Sequence, residues 1–168
     1  MAKEIERKYK ATLTHSASYI ALREADEVVL STQSYLMSKR TWEWRIRRLE
    51  CVKHRTKASG ETTWYTAIKI GNGFVRDEYE TKLPAWVGKI LLRLAPEPIY
   101  KTRCSEGGWE VDIFHRPASL NGLVLAEAEV EHEHSPFPEV PTWLVLQEDV
   151  TNHGGYSNKN LCLHGLPK

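Results

Sequence analysis

The stretch Glu4-Ile5-Glu6-Arg7-Lys8 decides how the rest of this chain is read. As a β-strand it puts Glu4, Glu6 and Lys8 on one face and Ile5, Arg7 and Tyr9 on the other. Two carboxylates and an ammonium then share a wall. Like charges about 7 Å apart repel by about 0.6 kcal/mol in water and by about 2.4 kcal/mol at an effective dielectric near 20. Such a wall is cheap against solvent and costly inside.

A single strand of this kind reads as a solvated edge, but the spacing recurs. Glu43, Arg45 and Arg47 repeat it, as do Arg76, Glu78 and Glu80, then Lys101 and Arg103, Glu110 and Asp112, and Glu127 and Glu129. Six segments with one alternation indicate a shared charged surface.

Composition limits what that surface serves. A chain of 168 residues with 41% hydrophobic content fits one domain over residues 1–168. With 23 basic and 22 acidic residues the formal net charge is +1, so no global field draws the chain to nucleic acid or a membrane, and a polyanion site must be local. Cys51, Cys104 and Cys162 fit neither a disulfide framework nor a Cys-x-x-Cys site and read as thiols of a reducing compartment. Charge begins at Lys3 and Glu4, and no run reaches transmembrane length, so the expectation is a cytoplasmic protein.

In order, the first strand is expected to end near Ala11, and Thr14 or Ser16 to cap a short helix through Ala17, Ile20 and Arg23. Strands follow at Gln33 to Leu36 and Trp42 to Leu49, the second with Trp42, Trp44 and Ile46 opposite its charges. Lys53 to Gly60 reads as a hairpin loop, and Gly71-Asn72-Gly73 as the turn between strands Thr62 to Ile70 and Phe74 to Leu83. Pro84 suits a first helical position, and Trp86, Val87, Ile90, Leu91 and Leu94 fall on one helical face, expected against the outside of the sheet. Ile99 to Ser105 and Trp109 to Phe114 form another hairpin, and Leu123 to Glu131 the last clear strand. Beyond the prolines at 136–141 come an extended Trp143 to Gln147 and a short helix from Ser157 to Leu163.

The fold class expected is therefore α+β and mainly antiparallel, with eight strands closing into a barrel. Its charges would face inward and its large apolar residues and helices would pack outside. Buried charges need partners or water, so the lumen reads as a wet tunnel. Its Lys and Arg side chains suit phosphate oxygens, and its paired Glu residues suit Mg²⁺ or Mn²⁺.

In this respect the chain resembles the CYTH superfamily, the triphosphate tunnel metalloenzymes. Glu4-Ile5-Glu6-Arg7-Lys8 is similar to the family's Glu-x-Glu-x-Lys signature, the charged strands follow in the family's order, and Tyr156-Ser157-Asn158-Lys159 is similar to its closing segment. The resemblance implies metal-dependent hydrolysis of a triphosphate. It assigns metal to Glu4, Glu6, Glu127 and Glu129, with Asp112 added. Glu4, Glu6 and Lys8 would act on the attacking water. Lys8, Arg45, Arg47, Lys69, Arg76, Lys101, Arg103 and Lys159 would clamp phosphate oxygens, while Glu43, Glu78, Glu80 and Glu110 would keep neighbouring cations oriented.

Within the family the pattern is nearest the bacterial tripolyphosphatases, which makes inorganic tripolyphosphate the first expected substrate, cleaved to pyrophosphate and phosphate. Nucleoside or thiamine triphosphatase, class IV adenylate cyclase, and a non-catalytic polyphosphate or nucleotide-binding module stay open as alternatives. Trp64 or Tyr65 could stack on an organic group. Monomer and homodimer are equally compatible with the sequence. His132-Glu133-His134 offers two transition-metal ligands, too few for a site. Two departures from the family stand out: Ser157 replaces a basic residue, and Glu131 extends the carboxylate row.

Overall fold

A computed structural model describes residues 5–14, 21, 23–39, 41–72, 75–130 and 136–168, with backbone alone at 5, 71–72 and 75–76. Glu4, Glu131, His132, His134 and the side chain of Arg76 lie outside the described residues, as does most of the helix expected near residues 17–23.

The alternating stretches do form strands. These are β1 (Ile5–Leu13), β2 (Glu27–Ser38), β3 (Trp42–Lys53), β4 (Thr62–Asn72), β5 (Val75–Leu83), β6 (Ile99–Glu106), β7 (Trp109–Arg116), β8 (Val124–Val130) and β9 (Leu144–Asp149). Helix α1 (Ala85–Leu94) follows β5, and helix α2 (Asn158–His164) follows β9. The strands make one sheet in the order β5-β4-β3-β2-β6-β7-β8-β1-β9. All its pairings are antiparallel.

The expected count of eight is corrected to nine, because Leu144–Asp149 pairs with β1 past a register shift at Lys10/Ala11. Among the described residues β5 and β9 are edges with no ladder between them, so hydrogen bonding does not close the sheet. It is nevertheless strongly curled, since Glu6 and Lys8 on β1 and Glu78 and Glu80 on β5 line one cavity. Strand β2 starts at Glu27, six residues ahead of the expected Gln33. Its inner positions Val29, Ser31, Gln33 and Tyr35 are uncharged, so charge alternation does not reveal it.

The outer face carries one apolar core. Val28, Cys104, Trp109, Val111, Ala126, Ala128 and Trp143 are buried in it, and Ile46 is also fully buried. The expected outward direction of Trp44 holds, and its indole Nε1 donates to Thr66 Oγ1 at 2.7 Å. Helix α1 also lies outside but is rotated from the expected face. Its buried residue is Gly88, where a Cβ would meet the Trp64 ring at 2.3 Å, while Trp86, Ile90 and Leu94 are 68%, 52% and 73% exposed. The close approach to Trp64 fixes which side of the helix faces the sheet, and it excludes Trp64 from the cavity. Pro84 is the N-cap, one position before the helix proper.

The second core corrects the expectation that all helices pack outside. Ile99, Phe114 and Leu125 continue the inward rows of Lys101, Asp112 and Glu127, and they pack with Leu120, Val150, Tyr156 and Leu161. Helix α2 is therefore seated inside the curl at one end, where apolar inward positions need cover. Ser157, the departure noted above, is its N-cap and accepts from the Asn160 amide at 3.2 Å.

Candidate active site

Period-two alternation carries charged side chains of eight strands, β1 to β8, onto the concave surface, around a cavity of about 710 Å³. Its lining includes Glu6, Lys8, Arg45, Arg47, Lys69, Lys101, Arg103, Glu127, Glu129 and Lys159, so ten expected site residues converge. Asp112 is not at the wall. It lies directly behind, 1% exposed.

The charges form two banks. On β1, β6, β7 and β8, Lys8 Nζ sits 2.8 Å from Glu127 and 3.4 Å from Glu6. Arg103 forks onto Asp112 through Nε at 2.8 Å and Nη2 at 2.7 Å, reaches Glu127 at 3.4 Å, and also pairs with Glu110. Lys101 Nζ donates to Asp112 at 2.5 Å and to Asn158 Oδ1 at 3.0 Å, tying the start of α2 to this bank. On β3, β4 and β5, Arg45 pairs with Glu78 at 2.7 Å and Glu80 at 3.1 Å, Arg47 with Glu80 at 2.9 Å, and Lys69 with Glu78 at 2.8 Å. Lys159 reaches across from α2 to Glu43 at 3.2 Å. The inner positions of β2 from Val29 to Tyr35, all uncharged, separate the banks, and Glu27 alone carries charge at the start of that row.

Burial alone would raise the Asp112 carboxyl, but Arg103 and Lys101 outweigh it and hold the group well below the usual carboxylate range. Burial disfavours the Lys8 ammonium, yet Glu127 and Glu6 hold its pKa above the ordinary lysine value. Glu6 moves the other way from most acids here: burial, then the neighbouring Glu127 carboxylate, push it up. At Glu78 burial is overcome by Lys69 and Arg45, and the pKa falls. Arg47 is lowered by burial and by Arg45.

Chemically, the site presents cationic donors to an anion from two sides. The Nε atoms of Arg45 and Arg47 are buried without a hydrogen-bond partner. The wall carries eight cationic and nine acidic side chains among the described residues, so it is close to neutral despite its charge density. No group of three or more His, Cys, Asp or Glu side chains among the described residues is gathered as a metal cluster. Ser31, Gln33, Tyr35 and Asn158 are among the lining residues to which the sequence pattern assigns no role. The first three keep phase with the charged rows of β3 and β6, a signal that becomes visible once the pairing partners of β2 are known. Tyr65 lines the cavity with the Arg47 guanidinium 5.8 Å from its ring centre.

No family profile and no curated protein matches the chain. Among solved structures, the inorganic triphosphatase NE1496 superposes with a TM-score of 0.63 at 23% identity, covering 99% of each chain. The CBM2 module of Lactobacillus casei BL23 phage J-1 evolved Dit aligns over 88% of this chain and 56% of its own at 9% identity, with a TM-score of 0.19 that carries no weight. The chain thus shares its overall fold with that triphosphatase across nearly its whole length.

Proposed function

We propose that the chain is a divalent-metal-dependent triphosphatase that cleaves inorganic tripolyphosphate to pyrophosphate and phosphate. The observation that carries this reading is the pair of buried guanidinium Nε donors, on Arg45 and Arg47, two residues of the cavity wall, that have no protein acceptor. A buried donor left unpaired costs about 1–3 kcal/mol, and a phosphate oxygen is the acceptor its charge prefers. The fold shared with an inorganic triphosphatase supports the same substrate class. The reading does not need hydrogen bonds between β5 and β9, since both banks already face one cavity.

Charge balance supports the metal. A near-neutral wall cannot by itself offset the several negative charges of a triphosphate. Glu6, Glu127 and Glu129 supply hard carboxylate oxygens on one bank, and the burial and Glu127 repulsion that together raise Glu6 are what a divalent cation would relieve. These residues, with Glu4, would hold Mg²⁺ or Mn²⁺, whose chemistry would be charge neutralisation on the phosphoryl oxygens. Asp112 is committed to Lys101 and Arg103, so we assign it to orienting those cations.

For the chain's own groups the work is alignment. Arg45, Arg47, Lys69, Lys101, Arg103 and Lys159, joined by Arg76, grip the phosphate chain from both banks. Lys8, kept as an ammonium by Glu127 and Glu6, orients the attacking water by donation rather than by deprotonating it. Glu6, 3.4 Å from the Lys8 ammonium, would hold metal or position that water through its carboxylate, and the proton lost by the water would pass to solvent or to the phosphate released. Tyr65 in the cavity wall favours a second reading, an organic triphosphate whose ring stacks there. Phosphate release from tripolyphosphate, ATP, GTP and thiamine triphosphate, each with Mg²⁺ or Mn²⁺ and with products identified, tests both. Turnover of tripolyphosphate to pyrophosphate and phosphate is expected, and binding of every compound without release of phosphate or pyrophosphate would leave only a binding module.

A further inference from the structure

Three buried side-chain atoms among the described residues have no hydrogen-bond partner: Arg45 Nε, Arg47 Nε and Ser31 Oγ. All three belong to residues lining the same cavity. Orphaned buried polar atoms are few in folded proteins, so their meeting at one cavity points to one cause. A guanidinium Nε only donates, and a hydroxyl can donate. What the three share is the ability to give a hydrogen bond to an oxyanion.

Ser31 is 4% exposed and lies on β2, with Lys101 of β6 and Leu49 of β3 as its cross-strand partners. Two residues along the same inner strip, Gln33 Nε2 donates to the Tyr35 hydroxyl at 2.8 Å, so that neighbour has its own internal partner. Ser31 does not. We infer that Ser31 is a substrate-binding residue whose hydroxyl donates to a phosphate oxygen held between the Lys101 bank and the Arg45 and Arg47 bank. This rests on the triphosphatase reading and adds to it the group that fixes the phosphate chain on the uncharged strip. A neutral hydroxyl supplies direction where the surrounding cations supply charge.

Two substitutions test this, with the wild-type chain assayed first for Mg²⁺-supported phosphate release from tripolyphosphate and for tripolyphosphate binding by calorimetry with Ca²⁺ in place of Mg²⁺. Ser31→Ala is expected to lower kcat/KM and affinity about tenfold, the loss of one hydrogen bond to a charged acceptor. Its thermal midpoint should hold or rise, because an unpaired buried hydroxyl has been removed. Ser31→Thr, which keeps the hydroxyl on a β-compatible side chain, should restore both to within about twofold. If wild type turns over tripolyphosphate and Ser31→Ala matches it, the inference is overturned and the triphosphatase reading stands. If Ser31→Ala loses activity and thermal midpoint together, Ser31 is structural and the inference is again overturned. If wild type neither binds nor cleaves tripolyphosphate, the triphosphatase reading fails and the inference fails with it.

Discussion

The two charged banks face the same cavity but are built differently. At the centre of the β6–β7 side, the Lys101 and Asp112 side chains are 3% and 2% exposed and are tied to each other, to Arg103 and to Asn158, while the outer Glu110 paired with Arg103 is 49% exposed. On the β3–β5 side, Glu78 and Glu80 are 37% and 31% exposed and sit on a sheet edge. Lys101, Arg103 and Asp112 at the centre of the first bank form a fixed frame whose charges are already answered. The second holds its arginines with carboxylates that solvent reaches, and those arginines retain unused donors. Geometry is set on one side and exchange with a ligand is easiest on the other.

The comparison breaks most readily at Asp112. Asp112→Asn leaves Lys101 and Arg103 buried without their counter-ion and should cost about 3–5 kcal/mol, read from denaturant melts. Next in size, Arg47→Ala should lower kcat/KM for tripolyphosphate about a hundredfold. Its melting should change little, which separates the exchangeable bank from the frame.

Acid titration sharpens the contrast further. The folded pKa of Asp112 lies below its unfolded value, so its stabilisation is complete above about pH 4 and is lost as pH falls below that. Wild type should therefore lose stability more steeply than Asp112→Asn through that acid range. The smallest effect belongs to Glu80→Gln. It removes a partly exposed pair partner of Arg45 and Arg47 and should change stability by no more than about 1 kcal/mol.

Much of this was legible in the sequence because a strand repeats every two residues and charge is easy to see at that spacing. Glu6, Lys8, Arg45, Arg47, Lys69, Arg103 and Glu127 all arrive at the cavity the alternation implies. The uncharged part of the wall was not legible. Val29, Ser31, Gln33 and Tyr35 follow the same period with no common chemistry, so β2 was read as a four-residue strand when it has 12. Helix α1 misled for a different reason. Its Trp86, Ile90 and Leu94 make the stronger apolar stripe, but the small volume of Gly88 against Trp64 decides the seating, and pattern counting gives a glycine no weight. The inward place of α2 was hidden in Ile99, Phe114 and Leu125, whose apolar character marks where the charged rows stop.

The segment after β9 supplies both the floor of the cavity and the groups that touch its two banks, Asn158 at Lys101 and Lys159 at Glu43. During synthesis the sheet can assemble from the earlier strands well before this piece leaves the ribosome. A nascent chain ending at β9 would hold most of the cavity's charges and no bottom to contain them. The cavity would thus gain its floor, and the cross-link between its banks, only once α2 has docked.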